Sequence, residues 1–441
     1  MVVERRGSVR PSLSSAQLTI SQEEAEVKTK QFNISKWQVV NAYKLVKANA
    51  GAAGVDNETL AEFDRNLKGN LYKIWNRLAS GTYFPPPVLA VAIPKKAGGE
   101  RILGIPTVSD RIAQMVVKLT FEPQVEPHFL PDSYGYRPKK SALDAIGVTR
   151  RRCWDYDWCL EFDIRALFDK IPHDLLMKAV DKHCTEKWVR LYIKRWLTAP
   201  MKMPDGELKA RDMGTPQGGV ISPVLANLFL HYVFDKWLHK HYRGIPWCRY
   251  ADDGLVHCKS KEEAEHMLEV LRERFAECGL ELHPEKTKIL YCKDGSRKGN
   301  HEHTSFDFLG YTFRRRLVKN TKRNSMFVSF TPAVSKVALK AMRRRIKTLK
   351  VRSRTDLNIA QISGWLNPMI NGWIGYYGKY YRSSLYPVFR HINKALIRWA
   401  RRKYKKLRRH KTRATLFLER IAKQNPWLFA HWRHGMRGSF A

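Results

Sequence analysis

The spacing of hydrophobic and polar residues predicts that the chain begins with helices and a β-hairpin. Helical periodicity runs over residues 35–79 with a break at the glycines of 51–54, and it returns over 108–122. Between these helical segments, residues 88–93 have a strand-like pattern, and the glycines of 95–101 are typical of a hairpin turn. We therefore expect an antiparallel strand pair flanked by helices.

The middle of the chain predicts further strands that are separated by turns and helices. Short apolar runs that end in a polar residue suit buried strands, and a glycine after a periodic segment is a helix stop signal. The expected elements are a buried strand at 158–164, a long helix at 223–242, a strand–turn–strand at 246–258, a helix at 262–278 that ends at Gly279, and strands at 288–292 and 306–313. The fold class is therefore α+β.

The pattern changes near residue 330, after which nearly every segment has helical periodicity. We expect a mobile N-terminal tail over 1–30, a mixed α+β body over 31–330 and an all-α region over 331–441. No uncharged apolar run approaches the roughly 20 residues that cross a bilayer, so we expect no membrane partner.

Positive charge is concentrated in the expected all-α region. The 441 residues carry 80 Lys or Arg against 41 Asp or Glu, a formal net charge of +39, and residues 331–441 hold 27 of the cations with only two acids. Like charges at helical spacing repel, and so few acids leave that repulsion uncompensated. An external polyanion is expected, and nucleic acid is the first candidate. The region also holds Trp and Tyr residues, some of which belong to the core while others can stack on unpaired bases.

The N-terminus and the cysteines favour a cytoplasmic protein. The first 20 residues lack the apolar stretch and cleavage site of a secretory signal. The seven Cys are odd in number and form no C-x-x-C pair, which argues against a disulfide framework and against a zinc ribbon. We expect reduced and mostly packed thiols.

Three carboxylates are the strongest candidates for chemistry. Asp163 ends the apolar strand 158–164, and Asp252 and Asp253 are adjacent on the expected turn after Tyr250. Adjacent carboxylates raise each other's pKa unless a cation lies between them. Three such groups can hold two Mg²⁺ roughly 3.5–4 Å apart, the arrangement that assists phosphoryl transfer. An Asp-Asp pair alone is also ordinary turn chemistry, so the sequence context decides between the two.

The context is a series of motifs in a fixed order, at 93–106, 132–138, 163–173, 214–227, 250–253, 279–288 and 308–311. These motifs resemble the seven sequence blocks of reverse transcriptases of the bacterial group II intron type, and they cover about residues 50–313. Residues 363–381 resemble the maturase (domain X) signature of the same family. The resemblance therefore spans nearly all of the chain after the tail.

The resemblance implies a right-hand polymerase fold of fingers and palm, followed by an all-α basic thumb and maturase region. It implies an RNA-directed DNA polymerase that also binds its own intron RNA and assists its splicing and mobility. The two Mg²⁺ would be held by Asp163, Asp252, Asp253 and the backbone carbonyl of Ile164. The implied substrate contacts are Lys95 and Arg101 at the triphosphate, Phe168 against a 2′-OH, Gln217 beside the nascent base pair, Arg137 at the template or nascent pair, and Lys286 or Lys288 as proton donor to pyrophosphate.

Several of these residues also have a simpler structural interpretation. Lys95 can lie on a solvated turn, Phe168 can pack in the core, and Lys286 can be an ordinary surface lysine. The chain departs from the family at 165–167, where it has Arg-Ala-Leu, and this change is conservative. Many relatives end in an HNH endonuclease with paired cysteines, whereas no Cys follows Cys292 here. We therefore do not expect the chain to cut DNA with a domain of its own.

The expected partners are intron RNA, an RNA template with a DNA primer, target DNA and dNTPs, in a bacterial cytoplasm and associated with the nucleoid. A homodimer is considered as its assembly state. Three other functions are weighed against this one: a splicing cofactor without polymerase activity, a domesticated reverse transcriptase in phage defence or repair, and a viral RNA-directed RNA polymerase. The intact carboxylates argue against the first alternative, and a ribozyme flanking the gene would argue against the second. Phe168 and the Tyr-Ala-Asp-Asp turn favour dNTPs over the third.

Overall fold

The structure is a computed structural model that describes residues 30–94, 99–320 and 323–436. The helices are α1 (Lys36–Asn49), α2 (Leu60–Arg65), α3 (Leu67–Ala79), α4 (Val108–Val125), α5 (Ala142–Asp155), α6 (Leu167–Lys170), α7 (His173–His183), α8 (Lys187–Thr198), α9 (Ser222–Leu230), α10 (Lys236–His241), α11 (Lys261–Glu277), α12 (Lys336–Thr348), α13 (Ile359–Tyr381), α14 (Tyr386–Lys403) and α15 (Lys411–Gln424). The strands are β1 (Val88–Pro94), β2 (Glu100–Ile105), β3 (Trp158–Asp163), β4 (Met201–Lys202), β5 (Leu208–Lys209), β6 (Trp247–Tyr250), β7 (Asp253–Cys258), β8 (Lys288–Tyr291), β9 (Ser305–Phe308), β10 (Tyr311–Asn320) and β11 (Ser325–Val334). Within the described ranges, no helix is both long and apolar enough to cross a bilayer.

The chain divides into two compact units that do not follow chain order. Of the described residues, the first unit contains those within Met1–Leu130, Ala166–Trp237 and Glu277–Leu280, and the second contains those within Pro131–Arg165, Leu238–Ala276 and Glu281–Ala441. Because the second unit contains parts of the expected body as well as the helical C-terminal region, the functional division at residue 330 stays a prediction.

The first unit is built around α4 and a four-stranded sheet in the order β2-β1-β4-β5. Strands β1 and β2 pair antiparallel, as the sequence predicts, while Lys95 in their connection lies outside the described residues. Helix α4 begins after Thr107, whose hydroxyl accepts a hydrogen bond from the Asp110 amide. The buried Asp110 carboxylate in turn accepts hydrogen bonds from Tyr83 at 2.9 Å and Trp196 at 2.7 Å. These bonds satisfy a polar group that burial alone would penalise.

The second unit contains an antiparallel sheet in the order β6-β7-β3-β8 and a smaller sheet in the order β11-β10-β9. Alternate residues of the larger sheet face opposite sides, as strand geometry requires. On one side, Phe162 packs against Phe275 of α11 with ring centroids 5.8 Å apart. On the other side, Leu255 and Leu290 share a buried cluster with Ile146 of α5 and the smaller sheet.

Two expected elements differ from the sequence prediction. The expected helix at 223–242 is interrupted by a π-helical turn at His231–Asp235, between α9 and α10. The expected strand at 306–313 is two strands joined by a turn, in which Leu309 and Gly310 have φ angles of 51° and 80°. The second of these strands, β10, pairs with β11 over ten residues. Strand β11 ends at Val334, so the helical region begins at α12 rather than at residue 331.

Helices α12 to α15 enclose a separate apolar core around α14. Its fully buried aromatic residues include Phe389, Trp399 and Trp432. A buried polar group ties the C-terminal segment to this core, because the side-chain carbonyl of Asn393 accepts hydrogen bonds from Trp432 at 3.1 Å and contacts His431 Nε2 at 2.7 Å. The sequence predicts neither contact.

Acid is expected to weaken the fold through His431. Burial lowers the pKa of this fully buried imidazole from 6.5 to about 3. A proton therefore binds this imidazole more tightly in the unfolded chain than in the folded one. The contribution of neutral His431 to the free energy of unfolding is fully present above pH 6.5. It is lost as the pH falls towards 3, by at most about 1.4 kcal/mol per pH unit. Urea unfolding at about pH 7.5 and about pH 5 should show this loss. His431→Phe should flatten the pH dependence by up to about 2 kcal/mol between these conditions, and an unchanged slope would contradict the assignment.

Candidate active site

The three predicted carboxylates meet at one end of the larger sheet. Asp163, the last residue of β3, lies directly opposite Asp253, the first residue of β7. Asp252 precedes it in the β6–β7 turn, where Ala251 has a φ of 58°. Side chains of directly opposed residues lie on the same face of a sheet. The antiparallel register therefore brings together residues that are about 90 positions apart in the chain.

This end of the sheet contains a glycine position that leaves no room for a side chain, and the sequence motifs did not single it out. Gly254 lies opposite Phe162 in the neighbouring strand. A Cβ at Gly254 would come within 2.0 Å of the Phe162 ring. No side chain fits there without moving that ring, so the glycine lets the ring lie against the backbone next to Asp253.

A fully buried arginine, Arg249, holds the β6–β7 turn by hydrogen bonds, and it was not identified from the sequence. The Arg249 guanidinium donates hydrogen bonds to the Ala251 carbonyl at 3.1 Å and to the Ser133 hydroxyl at 2.9 Å. Gly135 approaches the same turn so closely that a Cβ there would lie 2.4 Å from the Ala251 amide nitrogen. The signal in the sequence is a charged residue inside the apolar strand β6. The motif at 132–138 therefore acts as a support for the Tyr-Ala-Asp-Asp turn.

The electrostatics of the carboxylates follow from their burial and their proximity. Burial, followed by the charges of Asp252 and Asp163, raises the pKa of Asp253 to about 7. Burial also raises the pKa of Asp252, with a further contribution from Asp163. Glu161, two residues before Asp163 on the same face, has a pKa raised to about 8 by burial and by Asp253. This end of the sheet is thus a place where a cation is strongly stabilised.

Lys286 supplies one such cation. Its ammonium group lies 2.8 Å from the Asp163 carboxylate. It also lines a cavity of about 430 Å³ beside the carboxylates, together with Glu161, Asp163, Asp253, Lys288 and Asp307. Of the two lysines that the sequence could not separate, Lys286 is the one paired with a predicted metal ligand.

The donor set suits Mg²⁺. Among the described residues, no group of three or more His, Cys, Asp or Glu side chains is already placed so that it could hold a metal ion without further ligands or movement. Mg²⁺ seldom needs such a group, since it is usually bound by one or two carboxylates together with substrate phosphates and water. The hard carboxylate oxygens of Asp163, Asp252 and Asp253, with their raised affinity for a cation, fit that requirement.

Ile164 and Arg137 belong to the same unit as the carboxylates. Ile164 forms an antiparallel bridge with Leu282, but the hydrogen bonds of that bridge join neighbouring residues, namely Arg165 N to Glu281 O and His283 N to Asp163 O, both at 2.8 Å. Neither uses the Ile164 carbonyl. Arg137 donates a hydrogen bond to the Ser133 carbonyl at 2.8 Å, so it helps to hold the supporting loop.

The remaining described candidates belong to the first unit. Phe168 is half-buried at α6, and its carbonyl accepts a hydrogen bond from Thr215 at 2.7 Å. The Gln217 backbone carbonyl accepts a hydrogen bond from the Gly104 amide at 2.8 Å. This bond fastens the 214–220 loop to β2. Arg101 is an exposed residue of β2 opposite Ile93.

Two family models match the chain. Residues 93–313 match the model described as reverse transcriptase (RNA-dependent DNA polymerase), and residues 339–417 match the one described as group II intron, maturase-specific domain. A solved structure of apo telomerase from Candida tropicalis, truncated from the C-terminal domain, matches with a TM-score of 0.40 at 13% identity, covering 52% of this chain and 53% of that one.

Curated relatives match over different lengths. Protein YkfC of Escherichia coli (strain K12) is 32% identical over 319 residues, which is 63% of this chain and 80% of that protein. The group II intron-encoded protein LtrA of Lactococcus lactis subsp. cremoris is 34% identical over 200 residues, 45% of this chain and 33% of that protein. The uncharacterized 91 kDa protein in the cob intron of Schizosaccharomyces pombe is 26% identical over 79% of this chain and 50% of that protein. The chain thus spans a third to a half of the latter two relatives.

Proposed function

Because the chain belongs to the reverse transcriptase family and carries a group II intron maturase-specific domain, we propose that it is an RNA-directed DNA polymerase that binds intron RNA and assists its splicing and mobility. The observation that carries the polymerase proposal is the register of β3 and β7, which sets Asp163 opposite Asp253 with Asp252 in the adjoining turn. Burying neighbouring carboxylates in this arrangement costs folding free energy unless a cation binds between them.

Members of this family use divalent metal ions, and we assign two Mg²⁺ to this site. Asp163, Asp252, Asp253 and the Ile164 carbonyl would hold them, and when bound they would stabilise the attacking and leaving oxygens of a phosphoryl transfer. The chain's own task is to fix these ligands before substrate arrives. Arg249 performs this task through its hydrogen bonds to the turn and its supporting loop.

The other assigned residues would handle the nucleotide. Lys95 and Arg101 carry charges that suit a triphosphate. A close backbone approach at Gly218, where a Cβ would lie 2.4 Å from the Gly104 carbonyl, shapes the loop that holds Gln217. Phe168 would exclude a ribose 2′-OH, and Arg137 would contact the template or nascent pair through the loop that it stabilises. Lys286 would donate a proton to the leaving pyrophosphate.

The basic helical region supports the RNA-binding half of the proposal. Residues 331–441 carry 27 Lys or Arg with two acids, and such a surface neutralises phosphates with a strong dependence on salt. The expected partners are intron RNA, a primed RNA template and target DNA. Self-association as a homodimer is part of this proposal, and sedimentation of the full chain measures it.

Primer extension on an RNA template with Mg²⁺ tests the proposal. Extension should occur with dNTPs and be weak with rNTPs, because Phe168 would crowd the 2′-OH. Phe168→Ala should raise rNTP use relative to dNTP use by about tenfold to a hundredfold, the size expected for removing one steric contact. Efficient extension by wild type with rNTPs would contradict the assignment. Absence of extension together with tight RNA binding would favour the splicing cofactor.

A further inference from the structure

Lys286 is held against Asp163 by the backbone as well as by charge. The segment that carries it is fastened to the end of β3, since His283 N donates to the Asp163 carbonyl at 2.8 Å and Leu282 bridges to Ile164. The Lys286 amide then donates to the His283 carbonyl at 3.3 Å, which closes a turn. The lysine and the carboxylate that it contacts therefore belong to one rigid piece of backbone.

The two partners differ in how far they can move. The Asp163 side chain is 13% exposed, whereas the Lys286 side chain is 58% exposed. A lysine side chain has four rotatable bonds and a strongly hydrated head, so its ammonium group can leave the carboxylate for solvent at low cost. The fixed backbone keeps the released ammonium group beside the site.

We propose that Lys286 is a resident counter-ion that competes with divalent cations for Asp163 and is released towards substrate phosphate when a cation binds. This inference rests on the proposed metal site. The ammonium group compensates one carboxylate charge while no cation is bound, which holds the three acids together. It also lowers the negative potential that attracts a free divalent cation, so the metal must displace it.

Lys288 provides the matched comparison within the same cavity. It carries the same charge and lines the same cavity, but its register in β8 places it opposite Glu161 rather than against Asp163. Removing either lysine deletes one positive charge near the site. Of the two changes, only removal of Lys286 deletes the ammonium group that is paired with the Asp163 carboxylate.

Binding of Mn²⁺ to the full chain, followed by electron paramagnetic resonance of the free ion without nucleotide or nucleic acid, tests the proposal. Lys286→Met should bind Mn²⁺ about three- to fivefold more tightly than wild type, the upper part of the range for a partly exposed ion pair. Lys288→Met should change the affinity by less than about twofold, and Lys286→Arg should restore wild-type affinity. Thermal melting checks that each variant is folded.

The outcomes separate this inference from the proposed function. Equal or weaker Mn²⁺ binding by Lys286→Met overturns the counter-ion role, and so does an equal gain in Lys288→Met, which would indicate a general charge effect. Asp163→Asn should abolish the tight site. If Asp163→Asn binds Mn²⁺ as wild type does, the metal site itself is wrong and the proposed function fails with it.

Discussion

Asp253→Asn is expected to abolish primer extension while the protein stays folded and bound to RNA. Asp253 faces Asp163 across the β3–β7 pair, and its pKa of about 7 results from burial and from two neighbouring carboxylates. An amide has nearly the same shape but cannot carry the charge that a metal requires. We expect the extension rate to fall by at least about a thousandfold, equivalent to the several kcal/mol that a metal contributes to phosphoryl transfer.

A carboxylate-to-amide change elsewhere serves as the control. Glu269 is an exposed residue of α11 that pairs with Arg272 at 2.6 Å, and Glu269→Gln should extend primers within about twofold of wild type. RNA binding by both variants should match wild type and weaken steeply with salt. Retained extension in Asp253→Asn would place the chemistry elsewhere.

Elements with strong local signals were predictable from the sequence. The strand–turn–strand at 246–258 appears as β6 and β7, and α11 stops just before Gly279, which has a φ of 73°. The three carboxylates could also be found in the sequence, because Asp163 ends one apolar strand and Asp252 and Asp253 lie at the turn between two others. Short-range patterning was sufficient to identify these features.

The β10–β11 ribbon shows where local patterning fails. Its first residues, Tyr311 and Phe313, are buried, but beyond Arg314 the strand alternates exposed and half-buried residues without a core face. A basic strand that is held by backbone pairing with β11 and by the Tyr381 hydroxyl, which donates to the Leu317 carbonyl at 3.3 Å, has no apolar period to detect. The same limit applies to Arg249, whose role depends on a loop more than 100 residues earlier in the chain.

The aromatic residues of the C-terminal region illustrate a second limit. The sequence could not separate core residues from candidates for base stacking. The structure assigns Tyr376 and Tyr380 to packing, since their hydroxyls donate to the Leu309 carbonyl at 2.9 Å and the Leu143 carbonyl at 3.1 Å. Trp427, by contrast, is 70% exposed, and its ring contacts the Arg433 guanidinium, which lies 5.4 Å from the ring centroid. The partners of the tyrosines are too distant in the chain for pattern analysis to identify.

Gly254→Ala is expected to destabilise the protein and to impair polymerisation together. The new Cβ would lie 2.0 Å from the tip of the Phe162 ring, which is 1% exposed and packed against Phe275. The clash can be relieved in two ways. Either the Phe162 ring moves and disturbs its packing against α11, or β7 shifts and carries Asp253 out of register with Asp163. Overpacking of this kind costs about 1–3 kcal/mol, so the urea midpoint should fall clearly and extension should fall by about tenfold or more.

Two further variants identify the cause of the loss. Gly372→Ala places the same methyl group on α13 where nothing lies within 4 Å, and it should be neutral or stabilising by up to about 1 kcal/mol. Phe162→Leu shortens the ring that the new methyl group would meet. The double variant Phe162→Leu/Gly254→Ala should therefore be less destabilised than the sum of the single changes, with a coupling of about 1 kcal/mol or more. Strictly additive effects would mean that Gly254 is needed for its backbone flexibility and not because it leaves room for the Phe162 ring.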